Sequence, residues 1–518
     1  MAVRRKYLMD FIEIKNATKS YLGGAVVACD NVSVSFKRGE VHTLLGENGA
    51  GKSTLMKLLY GLTPMDNGQI LVNGKEEIID SPKKAIACGI GMVFQHFMLI
   101  PTLTVVENII LSLDDARLMA DTKGVANRIK DIAEKYGLAI DPYAKVSTLT
   151  VGQQQRVEII KALYKNCELI VLDEPTAVLT PQETGELFLA IRNLISENKA
   201  VIFISHKLKE VMEISDVITI LHMGKVVGAV TAIDTNAREL ANMMVGRPIN
   251  LDIDLKEQEV GPVILEVNDL HVKESTGVET VRGLSLKVRA GEIYGVAGVD
   301  GNGQRELIYG ITGLAKKTGQ VIIEGEDVSN ATPKQILDKS VAHIPEDRRG
   351  RGLVLQMPIR HNLVLDTFDN KMFTKGFFMD WDAVDKHARY LIEHYDIKTT
   401  DFNNDINTLS GGNQQKLVVA RELDKNPKLL LAVHPTRGVD IGATEFIHDS
   451  IVAARDKGCA VLLISTELDE IMELSDRIGV IYEGEILEEM DRKDINYEKI
   501  GLLMAGKKDE ADSLTEAS

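Results

Sequence analysis

The chain has 518 residues, 44% of them apolar, with a net charge of −16 and a pI near 5.3. That length exceeds one ordinary core, and that apolar content excludes a disordered chain. The acidic balance argues against a broad nucleic-acid surface but not against nucleotide binding, which needs only backbone N–H groups and one lysine. The start, MAVRRKYLMDFIEI, is basic but has no apolar stretch of signal-peptide length. No window approaches the roughly 18 apolar residues of a spanning helix. Cys29, Cys88, Cys167 and Cys459 lack CxxC spacing, which fits free thiols in a reducing compartment.

Tyr21 stands 31 residues before Lys52 and is a candidate for stacking on an adenine, with ordinary packing as the alternative. VHTLL (41–45) reads as a buried strand, and KSTLMKLLYGL as a helix ending near Gly61. Between them run Gly46, Glu47, Asn48, Gly49, Ala50, Gly51, Lys52 and Ser53, followed by Thr54. This is the GxxxxGK[ST] pattern in the strand-to-helix context it requires. Lys52 is expected to reach the β- and γ-phosphates of ATP, and the Ser53 hydroxyl to enter a Mg²⁺ shell.

Gln95 follows another apolar strand and can offer its amide to Mg²⁺ or to the attacking water. From Gln95 to Thr148, patterns such as ANRIKDIAEKYGL replace strand signals and predict an inserted helical subdomain. LIVLDE (169–174) is a buried strand ending in Asp173, assigned to metal, and Glu174, assigned as general base. ETGELFLAIRNLISE predicts an amphipathic helix and AVIFIS a third strand. His206 follows that strand and is placed to orient water, although a lone histidine there is as often structural. Strands alternating with helices predict a mostly parallel sheet covered on both faces.

The chain then repeats itself. GEVHTLLGENGAGKSTLMKLLYGL (39–62) is answered by GEIYGVAGVDGNGQRELIYGITGL (291–314), an offset of 252. LTVGQQQRVEIIKAL at 149, LIVLDEPT at 169 and VIFISHKLKEVMEISD at 201 recur as LSGGNQQKLVVAREL, LLLAVHPT and VLLISTELDEIMELSD, offset by 260. Ordered matches at a nearly constant shift mark a duplication. The proline- and charge-rich GRPINLDIDLKEQEVGPV separates the copies. The expected layout is a first domain over 8–246, a linker over 247–262, a second domain over 263–505 and a flexible tail over 506–518.

The copies differ in their chemistry. In the second, the loop lysine is Gln304 and the hydroxyl residue is Arg305. The Asp–Glu pair is Val433–His434, the histidine is Thr466, and Glu346 stands near the place of Gln95. In LSGGNQ, Ser410, Gly411 and Gly412 open a helix and present either an anion site or a plain polar helix start.

The phosphate loop Gly46–Thr54, Gln95, LSGGNQQK, LIVLDEPT and ISH resemble, in order and spacing, the nucleotide-binding domains of ATP-binding cassette (ABC) proteins. The resemblance implies an α/β fold of tandem P-loop NTPase domains. Each would have a mostly parallel core sheet, an antiparallel β portion and a helical subdomain. It also implies that Ser410, Gly411, Gly412 and Gln414 face the nucleotide held by Lys52 in a composite site. The reciprocal site would collect Gln304, Arg305, Val433, His434 and Thr466 together with Thr150 and Val151, so the losses fall in one site.

The fused, asymmetric arrangement is similar to the ATPase subunits of bacterial nucleoside and simple-sugar importers. Partners implied are two membrane permeases and an extracytoplasmic binding protein, with no nucleic acid and no contact with cargo. The expected location is the cytoplasmic face of the membrane. GMVFQHFMLIPTLTVVENI favours nucleosides, with ribose- or galactose-type sugars second. Soluble ABC proteins of translation or DNA repair are a rival class. The former have two competent sites and a long charged linker, and the latter a coiled-coil or zinc insertion.

Overall fold

The computed structural model describes residues 10–508 apart from 25, 96, 114–120, 177–178, 180, 249–252, 254, 257, 275–276 and 377. Parts of the expected linker, and the expected tail from residue 509 on, lie outside the described residues. Contacts divide the chain into two units, Met1–Ile249 and Asn250–Ser518.

In the first unit the strands are β1 (Asp10–Tyr21), β2 (Val26–Lys37), β3 (Val41–Leu45), β4 (Asn67–Val72), β5 (Lys75–Glu76), β6 (Ile90–Val93), β7 (Leu169–Asp173), β8 (Ala200–Ser205), β9 (Val217–His222) and β10 (Lys225–Thr231). β3, β7 and β8 are buried at every residue, as a sheet covered on both faces demands. The core sheet has the order β10-β9-β3-β8-β7-β6 and is parallel except for the edge strand β10. A second, antiparallel sheet has the order β2-β1-β4-β5.

Alternate residues of the central strands feed two cores. Leu169, Val171, Ile202 and Ile204 pack with the loop helix Lys52–Leu59 and with Phe11, Ile12 and Ile14 of the antiparallel sheet. Ile170, Leu172, Val201 and Phe203 pack with the helices Val105–Ile110, Thr122–Tyr136, Val151–Tyr164 and Pro181–Ser196. The phosphate-loop helix is thus clamped between two sheets, and the helical portion covers the opposite face.

The second unit rebuilds this plan with β11 (Val263–Lys273), β12 (Glu279–Arg289), β13 (Ile293–Ala297), β14 (Lys317–Ile323), β15 (Glu326–Asp327), β16 (Val341–Ile344), the small hairpin β17 (Thr374–Lys375) and β18 (Phe378–Met379), β19 (Leu429–Val433), β20 (Ala460–Ser465), β21 (Arg477–Tyr482) and β22 (Glu485–Asp491). Its sheets run β12-β11-β14-β15 and β22-β21-β13-β20-β19-β16, strand for strand the order of the first unit. The four cysteines are free. Burial pushes Cys29 and Cys167 up to about 11 and Cys459 up to about 12, which makes them inert packing residues. Among the described residues no helix is long and apolar enough to cross a membrane.

Candidate active site

The phosphate loop leaves β3 at Gly46 and enters its helix at Lys52. Gly51 has φ 102°, and a side chain there would collide with the carbonyl oxygen of Ala28 on β2, so only glycine fits. Lys52 is 5% exposed, and its Nζ donates to Gly46 O (2.6 Å) and Glu47 O (2.9 Å). Burial pushes the Lys52 pKa down, against the pull of Glu174, Asp173 and Glu47. Ser53 Oγ donates to Asp173 Oδ1 at 3.2 Å, which brings the hydroxyl and the carboxylate together at the end of β7. Burial and the neighbouring Glu174 push the Asp173 pKa up, so the site favours a cation beside it.

Glu174 follows β7 in the left-handed region, φ 46°, with its N–H donating to Ile204 O on β8 at 3.0 Å. That conformation turns its carboxylate to two partners. Gln95 Nε2 donates to Oε2 at 2.9 Å, and His206 Nδ1 lies 3.1 Å from Oε1. The His206 hydrogen bond outweighs burial and holds the carboxyl below its usual range. Lys52, Ser53, Gln95, Asp173, Glu174 and His206 therefore converge at the ends of neighbouring parallel strands.

Hydroxyl, amide and carboxylate oxygens are the hard donors Mg²⁺ takes. Among the described residues no cluster of three His, Cys, Asp or Glu could hold a metal alone. Tyr21 ends β1 with its side chain 39% exposed, paired with Val26 on the strand that also carries Ala28. Its ring stands on the sheet that abuts the loop.

The second unit keeps the shape and loses the chemistry. Gly303 has φ 98°, and Gln304 Nε2 donates to Val299 O at 2.8 Å, replacing the Lys52 contact to Glu47. Arg305 is drawn to Glu306 at 2.6 Å, so its charge is already answered. His434 has φ 46° and its N–H donates to Ile464 O, as Glu174 donates to Ile204. Its ring accepts from Thr466 N at 3.3 Å, and burial keeps it neutral by lowering its pKa. Glu346 is held by Tyr309 Oη at 2.9 Å.

The family described as ABC transporter matches residues 29–177 and 281–437, more than half the chain. The chain belongs to the ABC transporter family. It is 46% identical over 497 residues to the nucleoside import ATP-binding protein NupA of Lactococcus lactis, covering 96% of this chain and 98% of that one. It is 47% identical to the guanosine import ATP-binding protein NupO of Bacillus subtilis, covering 96% and 97%. It is 43% identical to the glucose import ATP-binding protein TsgD13 of Haloferax volcanii, covering 96% of each. A solved structure titled RNase-L Inhibitor aligns with TM-score 0.62 over 95% of this chain and 93% of that one, at 19% identity, a likeness of fold. The protein is an ABC-type ATPase that uses ATP and Mg²⁺, with tandem P-loop domains.

In this ABC ATPase, Ser410 caps the helix Gly411–Asp424, its Oγ accepting from the backbone and side-chain N–H groups of Asn413 at 3.3 and 2.9 Å. The first N–H groups of that helix have no intrahelical acceptor and can meet an anion. Gln414 is different. It is 1% exposed and its amide donates to Ile406 O and Leu409 O, both at 3.2 Å. Its side chain braces the turn that leads into the helix.

Two further roles went unread. Arg348 donates to Arg437 O (2.8 Å) and Gly438 O (3.2 Å), backing Gly411 so closely that a side chain there would meet its guanidinium. Thr176 Oγ1 and Ser205 Oγ donate to Glu210 at 2.5 and 3.2 Å, tying the loop after Glu174 to the helix after His206. Thr436 and Glu470 repeat the tie at 2.6 Å. The signal for this pair was the repeat itself, since both residues recur at the offset of 260.

Proposed function

We propose that this ABC ATPase energises nucleoside uptake through separate permease subunits, with one competent ATP site built from both units. The observation that carries the reading is Glu174 held between Gln95 and His206, set against His434 on the same backbone. Bound Mg²⁺ would supply charge neutralisation at the transferring phosphoryl group. Lys52 and the helix start bind the β- and γ-phosphates, and Tyr21 stacks on the base. Ser53, Gln95 and Asp173 would hold that ion through their side-chain oxygens. Glu174 accepts the proton of the attacking water, and His206 keeps it ionised and aligned. The Ser410 hydroxyl and the N–H groups of Gly411 and Gly412 close on the γ-phosphate from the other unit.

The nucleoside reading is supported by the relatives NupA and NupO, and the glucose-import relative supports simple sugars as the second reading. Partners are two permease subunits and an extracytoplasmic binding protein, and the chain works at the cytoplasmic face of the membrane. The test is uptake into vesicles reconstituted with permeases and binding protein, offering labelled guanosine, ribose and glucose. Guanosine should enter, and Glu174→Gln should stop it. Entry of a sugar without any nucleoside reverses the cargo, and uptake by Glu174→Gln at the parental rate overturns the site.

A further inference from the structure

Strand β16 runs out into Glu346-Asp347-Arg348-Arg349-Gly350-Arg351-Gly352, with three arginines inside four positions. Like charges so close repel, and the chain parts them by winding one turn of π type over Arg348–Gly352. Asp347 caps that turn, its Oδ1 accepting from Arg349 N and Gly350 N at 3.0 Å each. Gly352 N reaches back to Asp347 O at 3.2 Å. Buried Arg421, on the helix Gly411–Asp424, holds the far end through Gly352 O at 2.9 Å. The three side chains then diverge. Arg351 turns to Glu346 and the face of Tyr309, and Arg349 Nε donates to Gln414 Oε1 at 3.4 Å. Arg348 reaches the loop that follows β19.

Arg348 stands apart from the other two. Its Nε is buried and has no hydrogen-bond partner, and burial together with Arg349 pushes its pKa down. A guanidinium in such a place is held by what its other nitrogens do. Nη1 and Nη2 donate to the successive carbonyls Arg437 O and Gly438 O, at 2.8 and 3.2 Å, a fork that lysine cannot reproduce. Gly438 is left-handed, φ 67°, and a Cβ at Gly411 would come 2.8 Å from Nη2. Gln415 Nε2 ties the same loop to the same helix through Pro435 O at 2.7 Å. The loop over 435–440 is therefore bolted to the helix start from within by Gln415 and from a third segment by Arg348.

The first unit lacks this device. Asn108 and Asn362 are equivalent, each accepting through its amide oxygen from the N–H eight residues earlier, Ile100 and Val354. Asn108 follows Gln95 by 13 positions, whereas Asn362 follows Glu346 by 16, so the second unit has three extra residues in the stretch that holds the turn. The shorter stretch contains no lysine or arginine, and Val151 stands where the second unit has Gly411. The arginine turn and the first glycine of the helix start are present together in one copy and absent together from the other.

We propose that Arg348 is a positioning residue for ATP hydrolysis. By clamping the Arg437 and Gly438 carbonyls beside Gly411, it fixes the direction in which the Gly411 and Gly412 N–H groups meet the γ-phosphate. The proposal rests on the composite-site reading. Arg348 itself touches no nucleotide, and its loss leaves the phosphate loop of the first unit intact.

Two measurements on Arg348→Ala in the full chain test it. Hydrogen exchange followed by mass spectrometry should be about tenfold faster in segments 410–416 and 435–440, with exchange elsewhere unchanged. In the permease-coupled protein, kcat for ATP should fall about tenfold while the affinity for ADP, set by the loop of the first unit, keeps its parental value. Arg348→Lys keeps the charge but reaches one carbonyl at a time, and should recover part of both effects. Parental exchange in the two segments overturns the proposal, and so does a parental kcat. Faster exchange across the whole second unit with a matching fall in melting temperature overturns it too, because that is the mark of a merely structural arginine. Ser410→Arg is measured alongside as the check on the site. Parental hydrolysis by Ser410→Arg defeats the composite-site reading and this proposal with it. Impaired hydrolysis by Ser410→Arg beside parental hydrolysis by Arg348→Ala defeats the role of Arg348 alone.

Discussion

Glu174 sits between opposed influences, burial raising its pKa and His206 lowering it, and the hydrogen bond wins. Glu174→Gln should keep nucleotide binding and lower phosphate release by roughly 10²–10⁴-fold in the permease-coupled protein. His206→Ala removes the dominant influence, so the folded Glu174 pKa should rise. The acid limb of the pH–rate profile should then move to higher pH, an effect a purely structural histidine would not produce. Gln304→Ala should change hydrolysis far less than Lys52→Ala, because Gln304 already does no more than bind Val299 O. Asp173 and Glu174 were legible in the sequence because an apolar run delivers them to a strand end. The left-handed turn at Glu174 was not, since no glycine marks it. The burial of Gln414 was hidden for a similar reason: a polar residue in a signature string says nothing of which way its side chain faces.

Among elements, the tie from Thr176 and Ser205 to Glu210 couples the loop bearing Glu174 to the helix that follows His206. Thr176→Val leaves part of the Glu210 carboxylate unanswered, a loss of about 1–3 kcal/mol when such a group is buried. It should lower both the melting temperature and the turnover number at unchanged nucleotide affinity, with Thr176→Ser restoring both. In the second unit, burial holds neutral His434 below its ordinary pKa. The unfolded chain takes up that proton below pH of about 6.5 while the fold resists it, so this residue withdraws stability as pH falls through that point. His434→Gln should flatten the loss of melting temperature between about pH 7 and 5.5. The uninterrupted apolar strands were readable from sequence. The long β1 was not, because register shifts around Asn16, itself at φ 52°, break the alternation that announces a strand.

At the scale of the whole molecule, duplication was the most legible feature, since ordered strings survive even where single residues have diverged. A composite site predicts that Ser410→Arg impairs hydrolysis although it lies far along the chain from Lys52. Separately purified halves should recover activity only when mixed, as phosphate-release assays would show, and full activity in a 1–250 fragment would defeat the model. The shared left-handed turn at Glu174 and His434 has a consequence of another kind. Such a conformation carries a cost of about 1–3 kcal/mol for a residue other than glycine. In the second unit that cost persists under a histidine in place of the carboxylate. The second copy has thus preserved the mould after the casting changed. At this turn the two copies differ in the side chain alone, and an experimenter could exchange Glu174 and His434 without redrawing the bend that carries them.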